Sequence, residues 1–144
     1  MVTVSDLLKS KGTQVFSISA NASVRDALKL MAEKDVGALP ILDSGKLMGI
    51  FSERDFARLL AEEGEFSLDT SVWDLMTKKL FTVTPSTSIE SCMKLMTDKH
   101  IRHLPVLENE NLVGMISIGD VVKTVIASQK EFIDQLEGYI SGRW

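Results

Sequence analysis

A chain of 144 residues has room for one globular unit, or for two small halves sharing a core, and excludes two independent large domains. Its 44% hydrophobic and 25% charged residues exclude a disordered chain, and 16 Lys+Arg against 20 Asp+Glu, a net charge of -4, leave no broad electropositive field for nucleic acid. The single cysteine, Cys92, excludes an intrachain disulfide and a thiolate metal cluster and points to a reducing compartment.

Met1 is followed by Val-Thr-Val-Ser-Asp, with no basic segment leading into an apolar one, and no stretch approaches about 18 uninterrupted apolar residues. A cytoplasmic protein with no membrane partner is the expectation.

In chain order, Val15-Phe16-Ser17-Ile18 reads as a short strand. Val24, Ala27, Leu28, Met31 and Ala32 then recur at spacings of three and four, an amphipathic helix of about three turns started by Ser23 with Asp26. Two apolar runs follow, Ala38 to Leu42 and Leu47 to Phe51, separated by the hairpin signal Asp43-Ser44-Gly45-Lys46. Pro40 has no N–H for a central ladder and so predicts a strand entrance or edge. A final helix follows Ser52, and an acidic linker with Gly64 spans residues 62–70.

The same order then recurs. Leu80 to Asp120, set beneath Val15 to Asp55 at a constant offset of 65, gives 13 identical pairs in 41 without a gap, where roughly two or three would arise by chance. Phe16/Phe81, Leu39/Leu104, Pro40/Pro105, Gly49/Gly114, Ser52/Ser117 and Asp55/Asp120 are among them. In the second copy Leu80 to Val83 is the strand, and Ile89, Cys92, Met93 and Met96 form the helix face, started by Thr87 with Glu90. Residues 3–8 and 71–76 also match, at an offset of 68.

Each unit reads β-α-β-β-α, an α+β fold. About 60 residues bury too little alone, so the halves are expected to pack about a pseudo-twofold axis. The boundaries are 1–61 for the first repeat, 62–70 for the linker, 71–126 for the second repeat and 127–144 for a helical tail. The second final helix extends into that tail, because Val122, Val125, Ile126, Phe132, Ile133, Leu136 and Ile140 keep a helical stripe until Gly138 and Gly142 weaken it. Such a face suits a dimer contact, or packing back on its own chain.

Leu-Pro-(Ile/Val) before a hairpin and Gly-apolar-apolar-Ser-x-x-Asp after it, twice in register, resemble the CBS-domain pair, or Bateman module, over about residues 3 to 126. The resemblance implies two related clefts between the repeats that hold an adenine nucleotide, AMP foremost, with ATP, ADP, NAD or S-adenosylmethionine as alternatives. It implies a regulatory, energy-sensing homodimer with an unidentified protein target. It implies no enzyme and no catalytic cofactor.

In Gly49 to Asp55 and Gly114 to Asp120 a strand ends at Ser and a helix begins, which aims N–H groups and a helix dipole at a phosphate. By resemblance Asp55 and Asp120 anchor ribose hydroxyls, with Ser52 and Ser117 near phosphate. Ser-x-x-Asp is equally a helix-capping signature, present also at Ser23/Asp26. The family pattern assigns Ser17, Ile18, Thr82 and Val83 to the adenine, and Pro105 and Ile116 complete the set. Gly37 and Ala38 align with Arg102 and His103, room in one copy against charge in the other. Arg102 and His103, helped by Arg54, are expected to meet phosphate. A solvated charge at Arg102 and a packed imidazole at His103 are the plainer readings.

Cys92 and Met31, Met93 and Met96 read as core. No phosphate-binding Gly-rich loop, nucleophile elbow or Cys/His pair gives catalysis a nucleophile. A protein-interaction module with vestigial clefts is the alternative function.

Overall fold

Side-chain caps set where the helices begin. Thr3 opens α1 (Val4–Lys11) in a capping box with Asp6. Ser23 opens α2 (Val24–Lys34), and Ser88 opens α5 (Ile89–Lys99) by accepting the Ser91 N–H. The second cap is therefore one residue beyond the expected Thr87, whose hydroxyl is engaged in accepting the Thr84 N–H across the preceding turn. Asp35 and His100, aligned in the two copies, end these helices in the left-handed region at φ 53° and 54°. The computed structural model describes residues 1–142. The last two residues of the expected 127–144 tail, 143 and 144, lie outside the described residues.

The first sheet holds β1 (Ile18–Ser19), β2 (Ala38–Asp43) and β3 (Lys46–Ser52), in that order. The second pairs β4 (His103–Glu108) with β5 (Asn111–Ser117). Both hairpins turn on two residues of positive φ, Ser44 and Gly45 in one, Asn109 and Glu110 in the other. That backbone matches the strand twist.

The expected first strands shrink, to two residues in one half and to a single bridge at Val83 in the other. The prolines explain it. In this parallel register the Val83 N–H donates to the Pro105 carbonyl and the Leu107 N–H to Val83. The next rung toward residue 81 would need the N–H that Pro105 lacks, and Pro40 interrupts the first sheet in the same way. Pro40 thus lies inside the middle strand rather than at an edge, but on a stretch beyond the end of β1.

Each strand pair leads directly into a helix, α3 (Glu53–Glu63) in the first half and α6 (Ile118–Ile140) in the second. The short α4 (Val72–Leu75) opens the second repeat as α1 opens the first. The cores exchange these leading helices. Val4, Leu7 and Leu8 of α1 are buried with Cys92, Leu104 and Ile116 of the second half. Val72 and Met76 are buried with Val24, Leu39 and Phe51 of the first. Backbone bonds follow the exchange, Val4 N–H to Thr87 O and Val72 N–H to Ala22 O, both 2.8 Å. Full burial of a Leu, Ile or Phe is worth about 1.5–3 kcal/mol, so neither half closes its core without a segment from the other.

The halves meet along β3 and β5, and α1 and α5 pack on α6. Two expected core positions lie at the rim. Met93 is 36% exposed and Ala32 is exposed, because the buried lines of their helices run through Ile89, Cys92 and Met96 and through Val24, Ala27 and Met31. Among the described residues no helix is long and apolar enough to cross a membrane, and no group of three or more His, Cys, Asp or Glu is placed to hold a metal ion.

Candidate functional site

The start of α3 faces the segment that follows α4, and the end of α5 closes the space between them. The result is a cavity of about 540 Å³ lined from both halves, within the range of small-ligand sites. Gly37, Ser52, Arg54, Asp55, Arg102 and His103 of the expected set line it. Ser17, Ile18, Ala38, Thr82, Val83, Pro105, Ile116, Ser117 and Asp120 do not. Val83, Pro105 and Ile116 are buried in the core of the second half, and Ser17 and Thr82 are exposed outside the cavity.

Charge concentrates here. Arg54, Arg58, Lys79, Lys99 and Arg102 line the cavity against only Glu53 and Asp55. Five cations to two acids, in a chain of net charge -4, make a local field suited to an anion. Arg54 also ties the halves together, donating from Nη1 to the His100 carbonyl at 2.8 Å. Lys99 lies 5.3 Å from the Phe81 ring centre, a cation–π contact that places both groups on one wall.

Asp55 closes a capping box. Its Oδ2 accepts the Ser52 N–H at 3.2 Å, and the Thr77 hydroxyl at 3.3 Å, while Ser52 Oγ accepts the Asp55 N–H at 3.1 Å. Asp55 is thus a cap, as the plainer reading of Ser-x-x-Asp has it, and it also lines the cavity. The helix start, however, has less to offer than the sequence pattern implies. The Glu53 N–H donates to the Gly37 carbonyl at 3.0 Å and the Asp55 N–H to Ser52, so Arg54 carries the remaining free N–H of that turn among the described residues. The cationic character of the cavity therefore rests on its side chains.

His103 is half-buried, with its ring against Gly37. Burial, then the charge of Lys11, holds its pKa below the ordinary histidine value, although Asp120 and Asp55 pull the other way. It is a neutral hydrogen-bonding group at neutral pH rather than a cation. Burial pushes the Cys92 thiol up, away from a reactive thiolate.

The pseudo-equivalent groove differs. Asp120 repeats the capping box, with Ser117 N–H to Oδ2 at 2.8 Å, but Lys11 at the end of α1 lies across it. Lys11 Nζ is 2.6 Å from Asp120 Oδ2 and 2.6 Å from the Met115 carbonyl. Desolvation raises the Asp120 pKa, but the hydrogen bonds from Lys11 and from the Ser117 N–H outweigh it and the net shift is downward.

Sequence reasoning missed Arg58, Thr77, Lys79, Leu80, Phe81, Lys99, His100 and Ile101 as lining residues, with Ile50 and Glu53. Arg58 was within reach, because it stands four residues after Arg54 and so on the same helix face.

Comparison with known proteins places this arrangement in a family. A family model described as the CBS domain matches twice, at residues 4–62 and 72–127. The chain is 42% identical to the CBS domain-containing protein CBSX3, mitochondrial, of Arabidopsis thaliana, over 97% of this chain and 72% of that protein. A solved structure of a protein with CBS domains from Burkholderia ambifaria superposes with a TM-score of 0.83 at 46% identity, over 89% of this chain and 96% of the other. The CBS domain pair of protein MJ0100, solved with 5'-methylthioadenosine and S-adenosyl-L-methionine, shares the fold at a TM-score of 0.78 and 23% identity, over 89% and 98%. The chain belongs to the CBS-domain family and carries two copies of the domain.

Proposed function

We propose that this chain is a regulatory module that takes an adenine nucleotide, AMP first, in the cavity between its repeats. The carrying observation is the meeting of Asp55 with Arg54, Arg58, Lys79, Lys99 and Arg102 around one space of about 540 Å³. A carboxylate that accepts from a ribose diol, beside guanidinium groups that grip phosphate in a fork, is the donor and acceptor set such a ligand needs. The adenosyl ligands of MJ0100 support the class of ligand. The cations favour its phosphorylated members, AMP, ADP, ATP or NAD, over the positively charged S-adenosylmethionine.

Binding between halves that exchange their leading helices gives a ligand leverage on both. A homodimer then reports occupancy to a protein target, provided the nucleotide binds its two states with different affinity. We read the chain as regulatory and not catalytic: His103 is a neutral imidazole packed beside Gly37, and the groups around it are the cations and the carboxylate of a binding site. For location we propose a reducing compartment such as the cytoplasm, supported by the one cysteine, which lies buried. The vestigial reading has one observation in its favour, confined to the second groove, where Lys11 occupies Asp120.

The test is unfolding with and without nucleotide. A ligand at about 100 times its Kd adds about 2.7 kcal/mol to stability. Asp55→Ala is expected to weaken binding about tenfold or more, at roughly 1.5–3 kcal/mol per lost charged hydrogen bond. No shift with any adenine nucleotide at millimolar concentration refutes the proposal in favour of an interaction module.

A further inference from the structure

His103 opens β4, where it pairs with Ser117, the cap of α6. Its ring lies against the other half of the molecule, at Gly37 just before β2. The ring atoms Cε1 and Nε2 each stand 3.5 Å from the point where a Cβ on Gly37 would lie, and Glu53 Oε1 stands 3.7 Å from that point. The imidazole therefore sits where the halves meet, and it forms part of the cavity wall.

Depth sets it apart from the cations of that wall. Arg54, Arg58, Lys79, Lys99 and Arg102 are all exposed, so water and salt screen their pull on an anion. His100, at the end of α5, is exposed as well. His103 is half-buried, and a charge formed there acts through less solvent. It also belongs to one groove alone, because the residue that corresponds to it at the offset of 65 is Ala38.

The charges around the ring are opposed. Burial, Lys11 of α1 and the adjacent Arg102 keep a proton off it, while Asp120 of α6 and Asp55 of α3 favour one. Glu53 of α3 adds a carboxylate on the Gly37 side. Part of the Lys11 charge is already spent on Asp120, 2.6 Å away. A phosphate group entering among the five cations brings close to two negative charges to the open side of the ring at neutral pH. An opposite charge within about 4–6 Å moves a pKa by about 1 to 3, which carries this imidazole into the neutral range.

We infer that His103 takes a proton from solvent when a phosphorylated ligand enters the cavity, and thereby selects a doubly charged phosphate group over the uncharged end of a nucleoside. The ring nitrogen that receives the proton becomes a second N–H donor, so both nitrogens then donate. This rests on the cavity being the anion site of the proposed function. Since the bound ring holds its proton to higher pH than the free ring, binding tightens as pH falls from the bound value toward the free one.

The experiment is a pH titration of the His103 ring by nitrogen-15 NMR on the full chain, alone and with saturating AMP, adenosine or sulfate. Sulfate is a doubly charged anion that does not itself titrate near neutral pH. AMP and sulfate are expected to raise the titration midpoint of the ring by about 1 or more, and adenosine to leave it in place. The Kd of His103→Gln for AMP, divided by that of the wild type, should grow several-fold from about pH 8 to about pH 6.5, a ratio in which the titration of the phosphate itself cancels. A midpoint unmoved in the AMP complex, or a ratio constant with pH, overturns the inference and leaves nucleotide binding intact. A midpoint raised as far by adenosine as by AMP overturns the selection of phosphate. A midpoint raised by sulfate in a chain that binds no AMP upholds the proton uptake and overturns the nucleotide reading, and a chain that answers to neither anion overturns both.

Discussion

Replacing Lys11 by methionine keeps the aliphatic stem and removes only the charge that closes the second groove. In the wild type the Lys11 ammonium donates to Asp120 and to the Met115 carbonyl, with the two side chains of the ion pair 37% and 20% exposed. An ion pair that wet contributes about 0–1 kcal/mol, and the charged bond to a half-buried carbonyl adds about 1 kcal/mol after allowance for the exposure of the lysine. The expected loss is therefore about 1–2 kcal/mol, or about 3–6 °C in Tm for a chain of this size.

The pH dependence gives the loss a signature. The folded pKa of Asp120 lies below its ordinary value, with Lys11 a main cause of the lowering. Stability from that source is present above the unfolded carboxyl pKa of about 3.9 and disappears as pH falls through the folded value. Urea titrations should show Lys11→Met less stable than wild type near pH 7, and the difference should shrink in acid. The same variant frees the Asp120 carboxylate. Calorimetry with AMP should give one nucleotide per chain in the wild type and a second, weaker site in Lys11→Met. A wild type that already binds two, or a variant equal to wild type in both stability and stoichiometry, refutes the reasoning.

Two glycines separate the exchanged helices in a second experiment. A Cβ on Gly49 would stand 2.5 Å from Met76 Sδ and 2.8 Å from the Thr77 carbonyl, whereas one on Gly114 would stand 2.8 Å from a Leu8 methyl. Gly49→Ala should cost near the top of the roughly 1–3 kcal/mol range for overpacking, and Gly114→Ala near the bottom, because a leucine end yields more easily than backbone; urea midpoints in the reverse order would rule this out. His103, held below its ordinary pKa by burial, resists protonation in the folded chain while the unfolded chain takes a proton near pH 6.5. Stability should fall as pH drops below that point, and His103→Gln should flatten the slope between about pH 7 and pH 5.5; an unchanged slope assigns the acid sensitivity to another group.

The repeat was legible because its identities sit where geometry admits few residues. Leu39 and Leu104 are fully buried, and Gly49 and Gly114 each lie against a side chain of an exchanged helix. The exchange itself was not legible, since an amphipathic segment such as Val4 to Leu8 shows which face is apolar but not which core receives it. Lys79 was missed for a related reason. It falls between the two aligned blocks, where a three-residue length change interrupts the match, although the offset of 68 that pairs Leu8 with Met76 also pairs Lys11 with Lys79. Arg58 and Lys99 are charged residues of amphipathic helices, and only the topology, which brings both to one cavity, sets them apart from other charged positions.

Those pairings explain how one symmetric scaffold yields two unlike grooves. At the offsets of 65 and 68, Arg58 corresponds to Lys123, Lys99 to Lys34 and Lys79 to Lys11, so cations are retained, and even the contact of Lys99 with Phe81 has its counterpart in Lys34 over Phe16 at 5.1 Å. Arg54 and Arg102 correspond to Gly119 and Gly37. The second groove thus lacks both guanidinium groups that line the first, and there a lysine closes on Asp120. Restoring charge at one position is then insufficient. Gly119→Arg alone leaves Lys11 on Asp120, and Lys11→Met alone opens the groove without a phosphate fork, so the combined variant should bind its second nucleotide more tightly than the sum of the two separate gains. Additive gains in calorimetry would mean that the closure and the missing arginines act independently, and that the asymmetry is not a single coupled feature.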